Sequence, residues 1–275
     1  MNPRVPVRFQ RAAAELMKFN PLPKGSTCKP WPAGRRGSEI HTPGRIRDAD
    51  TVILYFHGGG FTIGSPAGHR GLVSQLAKRA GVKTFAASYR LSPESMFPAP
   101  QEDGLFAFDT LVKEGYAPEN IIVAGDSAGA NLSIGVAKQL LERGGPLPKA
   151  LVLISPVVDF TFEQIPQPVD DTLLPENWAL ENRWLYIHKN QAKDPLVSPI
   201  FGDFKGFPPV FIQSSSAELL SNDSKRLAAA LDKAGVPVTW EEQIGLWHDF
   251  QLQSGAVKEA TEAVQRIGEF VRSLG

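Results

Sequence analysis

The pentapeptide Gly125-Asp126-Ser127-Ala128-Gly129 constrains this chain more than any other stretch. It follows the apolar run Ile121-Ile122-Val123-Ala124. It precedes a helical pattern of Ala130, Leu132, Ile134, Val136, Ala137, Leu140 and Leu141, with no proline before Pro146. Gly-x-Ser-x-Gly between a short buried strand and a helix is the context of a nucleophile elbow. A serine in so tight a turn takes a strained backbone conformation and lifts its hydroxyl above the sheet. Side chains at 125 and 129 would collide there, so small residues are required. The helix N-terminus then aims free N–H groups at the spot where an oxyanion would form. An ordinary glycine-rich turn would have the same local spelling, so the surroundings and partners of Ser127 decide between the two.

The surroundings alternate. Residues 51–56, 82–88, 121–124, 150–154, 210–213 and 238–243 read as buried strands. Residues 69–80, 101–113, 128–142, 222–234 and 256–272 read as amphipathic helices. Apolar strands alternating with helices predict an α/β fold, a mostly parallel twisted sheet covered by helices on both faces. A short helix is expected over 9–19 and an irregular, Pro/Gly-rich connection over 20–37. The stretch 157–200 interrupts the alternation and carries Trp178, Trp184, Phe160 and Phe162. With residues 1–40 it is expected to form a small cap over the sheet edge of a single domain spanning 1–275.

Composition narrows the chemistry. With 29 basic and 29 acidic residues in 275, the formal charge is zero and nothing points to a nucleic-acid partner. The lone cysteine, Cys28, excludes an internal disulfide and a cysteine-rich metal site, and it reads as a residue without a function. No run approaches a membrane span and the start lacks a signal-peptide core, so a cytoplasmic location is expected. The oligomeric state is left open, a homodimer included.

The second constellation is His57-Gly58-Gly59-Gly60-Phe61, at the end of the strand 51–56. Neither a phosphate-cradling loop nor a dinucleotide fingerprint fits. Ser65 stands where the first needs lysine, and Ile63 where the second needs glycine. The loop reads instead as one side of an oxyanion hole, with the N–H of Ala128 as the other. His57 is assigned to holding the loop. Of the five histidines, His248 follows the last strand and leaves the same sheet edge as Ser127, which makes it the candidate base. The acid that orients it is sought after the strand 210–213. Glu218 is preferred, Asp223 is the alternative, and Asp249 is set aside as badly placed to face the ring of its neighbour.

These pieces resemble the α/β-hydrolase superfamily and, within it, the hormone-sensitive-lipase-like (bacterial family IV) carboxylesterases. The resemblance rests on His57-Gly58-Gly59-Gly60-Phe61, Tyr89-Arg90-Leu91-Ser92-Pro93-Glu94, Phe97-Pro98-Ala99, Gly125-Asp126-Ser127-Ala128-Gly129, Asp194-Pro195-Leu196-Val197-Ser198-Pro199 and His248-Asp249-Phe250, in family order over about 40–272. Many members have Asp-Pro-Leu at the acid position. A subset has Glu followed by two apolar residues, as in Glu218-Leu219-Leu220. The chain departs from the family at Ser95, where histidine is common, and in its short, proline-rich N-terminal segment. The resemblance implies Gly59, Gly60 and Ala128 as oxyanion donors and an α/β-hydrolase fold with a small helical cap.

The expected activity is that of a serine carboxylesterase with a Ser127–His248–Glu218 triad, acting on a small-molecule ester without metal or cofactor. Lactone chemistry, acyl transfer and a cyclase or dehydratase step are alternatives at the same site. A non-catalytic binding homologue is disfavoured because all three triad residues are present. Phe61, Trp178 and Trp184 are expected to wall the substrate pocket. A small pocket predicts a preference for acyl chains of about four to eight carbons.

Overall fold

The computed structural model describes residues 2–19, 21–166 and 171–275. Its strands in chain order are β1 (Thr27–Pro30), β2 (Glu39–Thr42), β3 (Val52–Phe56), β4 (Lys83–Ala87), β5 (Ile121–Asp126), β6 (Ala150–Ile154), β7 (Val210–Ser215) and β8 (Val238–Gln243). They form one eight-stranded sheet in the order β1-β2-β4-β3-β5-β6-β7-β8. β1 and β2 run antiparallel at one edge, and from β4 onward the sheet is parallel. The helices are α1 (Val7–Ala14), α2 (Arg70–Ala80), α3 (Ala99–Lys113), α4 (Ala128–Glu142), α5 (Glu176–Tyr186), α6 (Ser221–Lys233) and α7 (Lys258–Ser273).

Side-chain alternation along the strands divides the core in two. Val52, Leu54 and Phe56 of β3 belong to the core on the face that Phe108 of α3, Val136 of α4 and Leu227 of α6 also fill. Ile53 and Tyr55 face the other way, against Leu72 and Leu76 of α2 and Ile267 of α7. All five residues of β3 are at most 1% exposed. Each such side chain contributes about 1.5–3 kcal/mol through burial, which fixes β3 at the centre of the sheet.

The register aligns the strand ends that matter. Phe56 pairs with Gly125, Asp126 with Ile154, and Ser215 with Gln243. The loops after β3, β5, β6, β7 and β8 therefore leave the sheet along one edge, and these loops carry His57, Ser127, Ser155, Glu218 and His248.

One expectation changes. Thr27–Pro30 does not belong to an irregular connection or a cap, because it is an edge strand of the sheet, with Cys28 opposite His41. An edge position tolerates the proline that ends it. Within 157–200, α5 is the main regular element, and residues 167–170 of that stretch lie outside the described residues. The N-terminal segment is tied down by Arg11, which donates to the carbonyls of Thr62 and Ser92 and pairs with Glu94 at 2.7 Å.

Candidate active site

The elbow forms where α4 follows β5 after a single residue. Ser127 has φ 52 and ψ −116, a region that a serine occupies only when its surroundings impose it. A Cβ on Gly125 would enter the Gly129 backbone, and one on Gly129 would enter the carbonyl oxygens of Phe56 and His57. The Ser127 N–H donates to Ile154 O at 2.8 Å, which clamps the turn to β6.

Ser127 Oγ lies 2.9 Å from His248 Nε2. On the far side of the ring, Nδ1 faces Glu218 Oε2 at 3.4 Å, an ion-pair separation that substrate-bound sites commonly tighten. Glu218 is fully buried, and its Oε2 accepts a 2.6 Å hydrogen bond from Ser155 Oγ. Asp223 points elsewhere, accepting the N–H groups of Val158 and Asp159 at 2.7 and 3.1 Å. Burial pushes its carboxyl up to about 7. Of the two acids that the sequence offered, Glu218 is the one beside the imidazole.

The glycine loop is fastened from below. Gly58 N–H donates to Asp126 Oδ2 at 2.9 Å, and Tyr55 O–H to Asp126 Oδ1 at 2.6 Å. His69 Nε2 stands 3.2 Å from the same carboxylate. Burial opposes the Asp126 charge, but His69 and these hydrogen bonds outweigh it and hold the carboxyl below its ordinary range. Asn182 Nδ2 donates to Gly60 O at 2.9 Å, and its Oδ1 accepts from Thr62 Oγ1 at 2.7 Å. Gly59 and Gly60 have φ 115 and 58, and their N–H groups find no acceptor among the described residues. Ala128 opens α4, where the first N–H groups have no intrahelical acceptor. His57 is buried, stacks on Tyr89 at 4.3 Å and has Nδ1 2.8 Å from Gly58 O. Burial lowers its pKa to about 3, so it is neutral and serves the loop.

A family model described as alpha/beta hydrolase fold matches residues 53–252, the stretch that carries the glycine loop, the elbow, Glu218 and His248. The chain belongs to the α/β-hydrolase family. Among curated relatives, an acetyl-hydrolase of Streptomyces hygroscopicus is 37% identical over 82% of this chain and 77% of its own length. An esterase of Acinetobacter venetianus is 34% identical over 88% and 80%. Of the solved structures, an esterase from the bacterial hormone-sensitive lipase family is 33% identical. It aligns with TM-score 0.91 over 100% of this chain and 94% of its own. A hormone-sensitive lipase from a metagenome library aligns with TM-score 0.94 at 32% identity, over 100% and 93%. Within the family, the chain groups with these hormone-sensitive-lipase-like esterases.

Two cavities meet at Ser127 of this hydrolase. The larger, about 230 Å³, is walled by Met17, Leu173, Trp178, Trp247, His248 and Asp249. The smaller, about 30 Å³, lies among Gly60, Val157, Phe160, Phe162, Trp178 and Leu220. Trp178 borders both, and its Nε1 donates to Gln10 Oε1 at 2.7 Å. Phe61 borders neither. Its positive φ of 60 turns the ring beneath the loop, where it is fully buried and stacks on Tyr186 at 3.9 Å. Trp184 is also away from the site. Six positions along α5 from Trp178 is a rotation of about 240°, which sends Trp184 to a surface hollow with Lys189 and Lys193, under the Arg183 guanidinium.

Three residues gain a place that the sequence did not give them. Ser155 Oγ donates to Glu218 and lies 3.4 Å from the Asp249 N–H. Asp171 accepts from the N–H groups of Leu173, Leu174, Leu219 and His248, joining the insertion to both the acid loop and the histidine loop. Asp249 takes a left-handed conformation, φ 51 and ψ 34, which aspartate tolerates. This folds its carboxylate back until Oδ2 is 3.1 Å from His248 Nε2, the nitrogen that also meets Ser127. From the sequence it is set aside as badly placed to face its neighbour's ring, and this turn brings it there. No side-chain periodicity signals a left-handed residue that is not glycine.

Burial of the imidazole opposes its charge, but the Asp249 and Glu218 carboxylates outweigh burial and hold His248 well above the ordinary histidine range. Burial pushes Asp249 itself up to about 7. A base must be neutral to accept the serine proton, so the acid limb of kcat/KM should lie above the ordinary value of ~6.5. Asp249→Asn removes one of the carboxylates that favour the imidazolium and should move the limb to lower pH. A pH profile of p-nitrophenyl acetate hydrolysis reads this directly, and a limb unmoved by Asp249→Asn would contradict the electrostatic account.

Proposed function

We propose that the chain is a serine carboxylic-ester hydrolase that forms an acyl-enzyme on Ser127. The observation that carries the reading is the 2.9 Å approach of Ser127 Oγ to His248 Nε2 beside the uncommitted N–H groups of Gly59 and Gly60. Relatives described as acetyl-hydrolase and esterase support the same reaction class. In acylation, Ser127 Oγ bonds to the ester carbonyl carbon while its proton passes to His248 Nε2. The oxyanion is met by the N–H groups of Gly59, Gly60 and Ala128. As the C–O bond to the alcohol breaks, His248 delivers its proton to the departing oxygen. Water then attacks the acyl carbon, giving a proton to His248. The acyl–Oγ bond breaks, the carboxylic acid leaves, and His248 returns the proton to Ser127 Oγ. Glu218 keeps the imidazole oriented and offsets its transient charge.

The two cavities give the substrate a direction. The departing oxygen must lie within reach of His248 Nε2, and the larger cavity is the one walled by Trp247, His248 and Asp249. The alcohol portion belongs there. The acyl chain is left with the smaller cavity of about 30 Å³. So small a space beside Ser127 holds only a short chain beyond the carbonyl. This shortens the chain length expected from the sequence to about two to four acyl carbons.

Ser127→Ala should abolish turnover and preserve the fold. Glu218→Gln should lower kcat by about two to four powers of ten, and Asp223→Asn far less, since Asp223 holds the backbone at 158 and 159 and faces Arg226 rather than the imidazole. The reverse ranking in steady-state kinetics would assign the acid to Asp223.

Each acyl methylene adds about 0.8 kcal/mol of binding only while it is buried. With p-nitrophenyl esters, kcat/KM should peak between acetate and butyrate and be at least about tenfold lower for octanoate. Leu220→Ala should extend the tolerated length. An octanoate ester turned over as well as butyrate by the unaltered enzyme would exclude the small cavity as the acyl site.

A further inference from the structure

A polar cluster lies on the helix-covered face of the sheet edge, away from the loops that carry Ser127. Cys28 of β1 is directly opposite His41 of β2, and Glu39 precedes His41 by two residues on the same face. Glu39 and His41 are 6% and 1% exposed, at positions where a sheet packed under α2 ordinarily places apolar side chains, while Cys28 is half-buried. The donor atoms converge. Cys28 Sγ is 3.2 Å from Glu39 Oε2 and 3.8 Å from His41 Nε2, and His41 Nε2 is 3.4 Å from Glu39 Oε2. A zinc ion holding sulfur, nitrogen and oxygen at its usual bond lengths of about 2.0–2.3 Å in tetrahedral array sets those atoms roughly 3.3–3.5 Å apart. The triangle is thus nearly the face of a zinc tetrahedron.

We propose that Cys28, Glu39 and His41 form a binding site for a thiophilic divalent cation of the zinc class. One thiolate, one imidazole and one carboxylate are a donor set that zinc accepts and that calcium or magnesium does not favour. The supporting shell is in place. His41 Nδ1 lies 2.8 Å from Ser74 Oγ of α2, which leaves Nε2 to the cluster in the tautomer protonated at Nδ1. Arg70 holds Glu39 Oε1 from Nη2 at 2.5 Å and both carboxylate oxygens from Nε at 3.0 Å, which fixes the carboxylate, with Oε2 shared between the guanidinium and the thiol. The ligands stand on two paired strands, so little ordering is required, and the exposed side of Cys28 gives the ion an entry path and a water for its fourth position. On binding, the Cys28 S–H proton leaves to the buffer, an S–metal bond forms and no electron is transferred. The nearby Arg70 cation opposes the metal charge and keeps the affinity moderate.

The rival account is a thiol–carboxylate–guanidinium chain that merely fastens β1 to β2 and α2. Titration of the full-length protein with Co²⁺, followed by Zn²⁺ competition, separates the two. The expected result is one ion per chain, with an intense near-ultraviolet thiolate charge-transfer band that Zn²⁺ removes. Cys28→Ser, which keeps a hydrogen-bonding group, should abolish the band. His41→Gln should weaken binding by at least about tenfold. Zn²⁺ should raise the Tm of the unaltered protein and not that of Cys28→Ser. Absence of stoichiometric binding, or binding that survives Cys28→Ser unchanged, would overturn the proposal.

Discussion

The approach of Gly129 to the carbonyl oxygens of Phe56 and His57 is the constraint on which the site depends. It brings the first turn of α4 against the end of β3 so closely that no Cβ fits at 129. That single contact places the serine elbow and the glycine loop side by side. Gly59 and Gly60 then line the same cavity as Ser127. The strain at Ser127 is the local consequence, and the parallel pairing of β3 with β5 and of β5 with β6 sustains it. Interiors packed at crystal density transmit such a constraint rather than relax it.

The second organising force is the buried charge around this contact. Asp126, inside the elbow, takes hydrogen bonds from Gly58 and Tyr55 and faces His69. It is a bolt between the elbow and the glycine loop. His248 faces a carboxylate on each side, Glu218 at Nδ1 and Asp249 at Nε2. Glu218 meets the nitrogen away from Ser127, which is where the proposed mechanism needs an orienting acid. Asp249 meets the reacting nitrogen, so it competes with Ser127 for that position and favours the protonated ring. In the proposed mechanism the pair sets both the geometry of the base and the pH at which it becomes available.

Much of this was legible in the chain. Parallel strands buried on both faces read as continuous apolar runs, so β3 through β7 and the helices α2, α3 and α4 follow from periodicity. The elbow and the glycine loop are legible because their glycines are required by close backbone approach. Other parts leave no such trace. β1 is an antiparallel edge strand with polar residues and a proline, which looks like a loop. Phe61 was misplaced because a positive φ reverses where its ring goes, and Trp184 because its helix was not visible within the insertion. Asp249, Ser155 and Asp171 act through backbone turns and long-range hydrogen bonds, which one-dimensional patterns do not encode.

The central claim is that Ser127 carries the acyl group. Acid-quenching the enzyme during turnover of p-nitrophenyl acetate and mapping the trapped adduct by peptide mass spectrometry tests it most directly. The account predicts a single acetyl increment on the peptide containing Gly125-Asp126-Ser127-Ala128-Gly129, localised to Ser127 and absent after chase with excess buffer. An acetyl group stably retained elsewhere, with Ser127 unmodified throughout turnover, would contradict it.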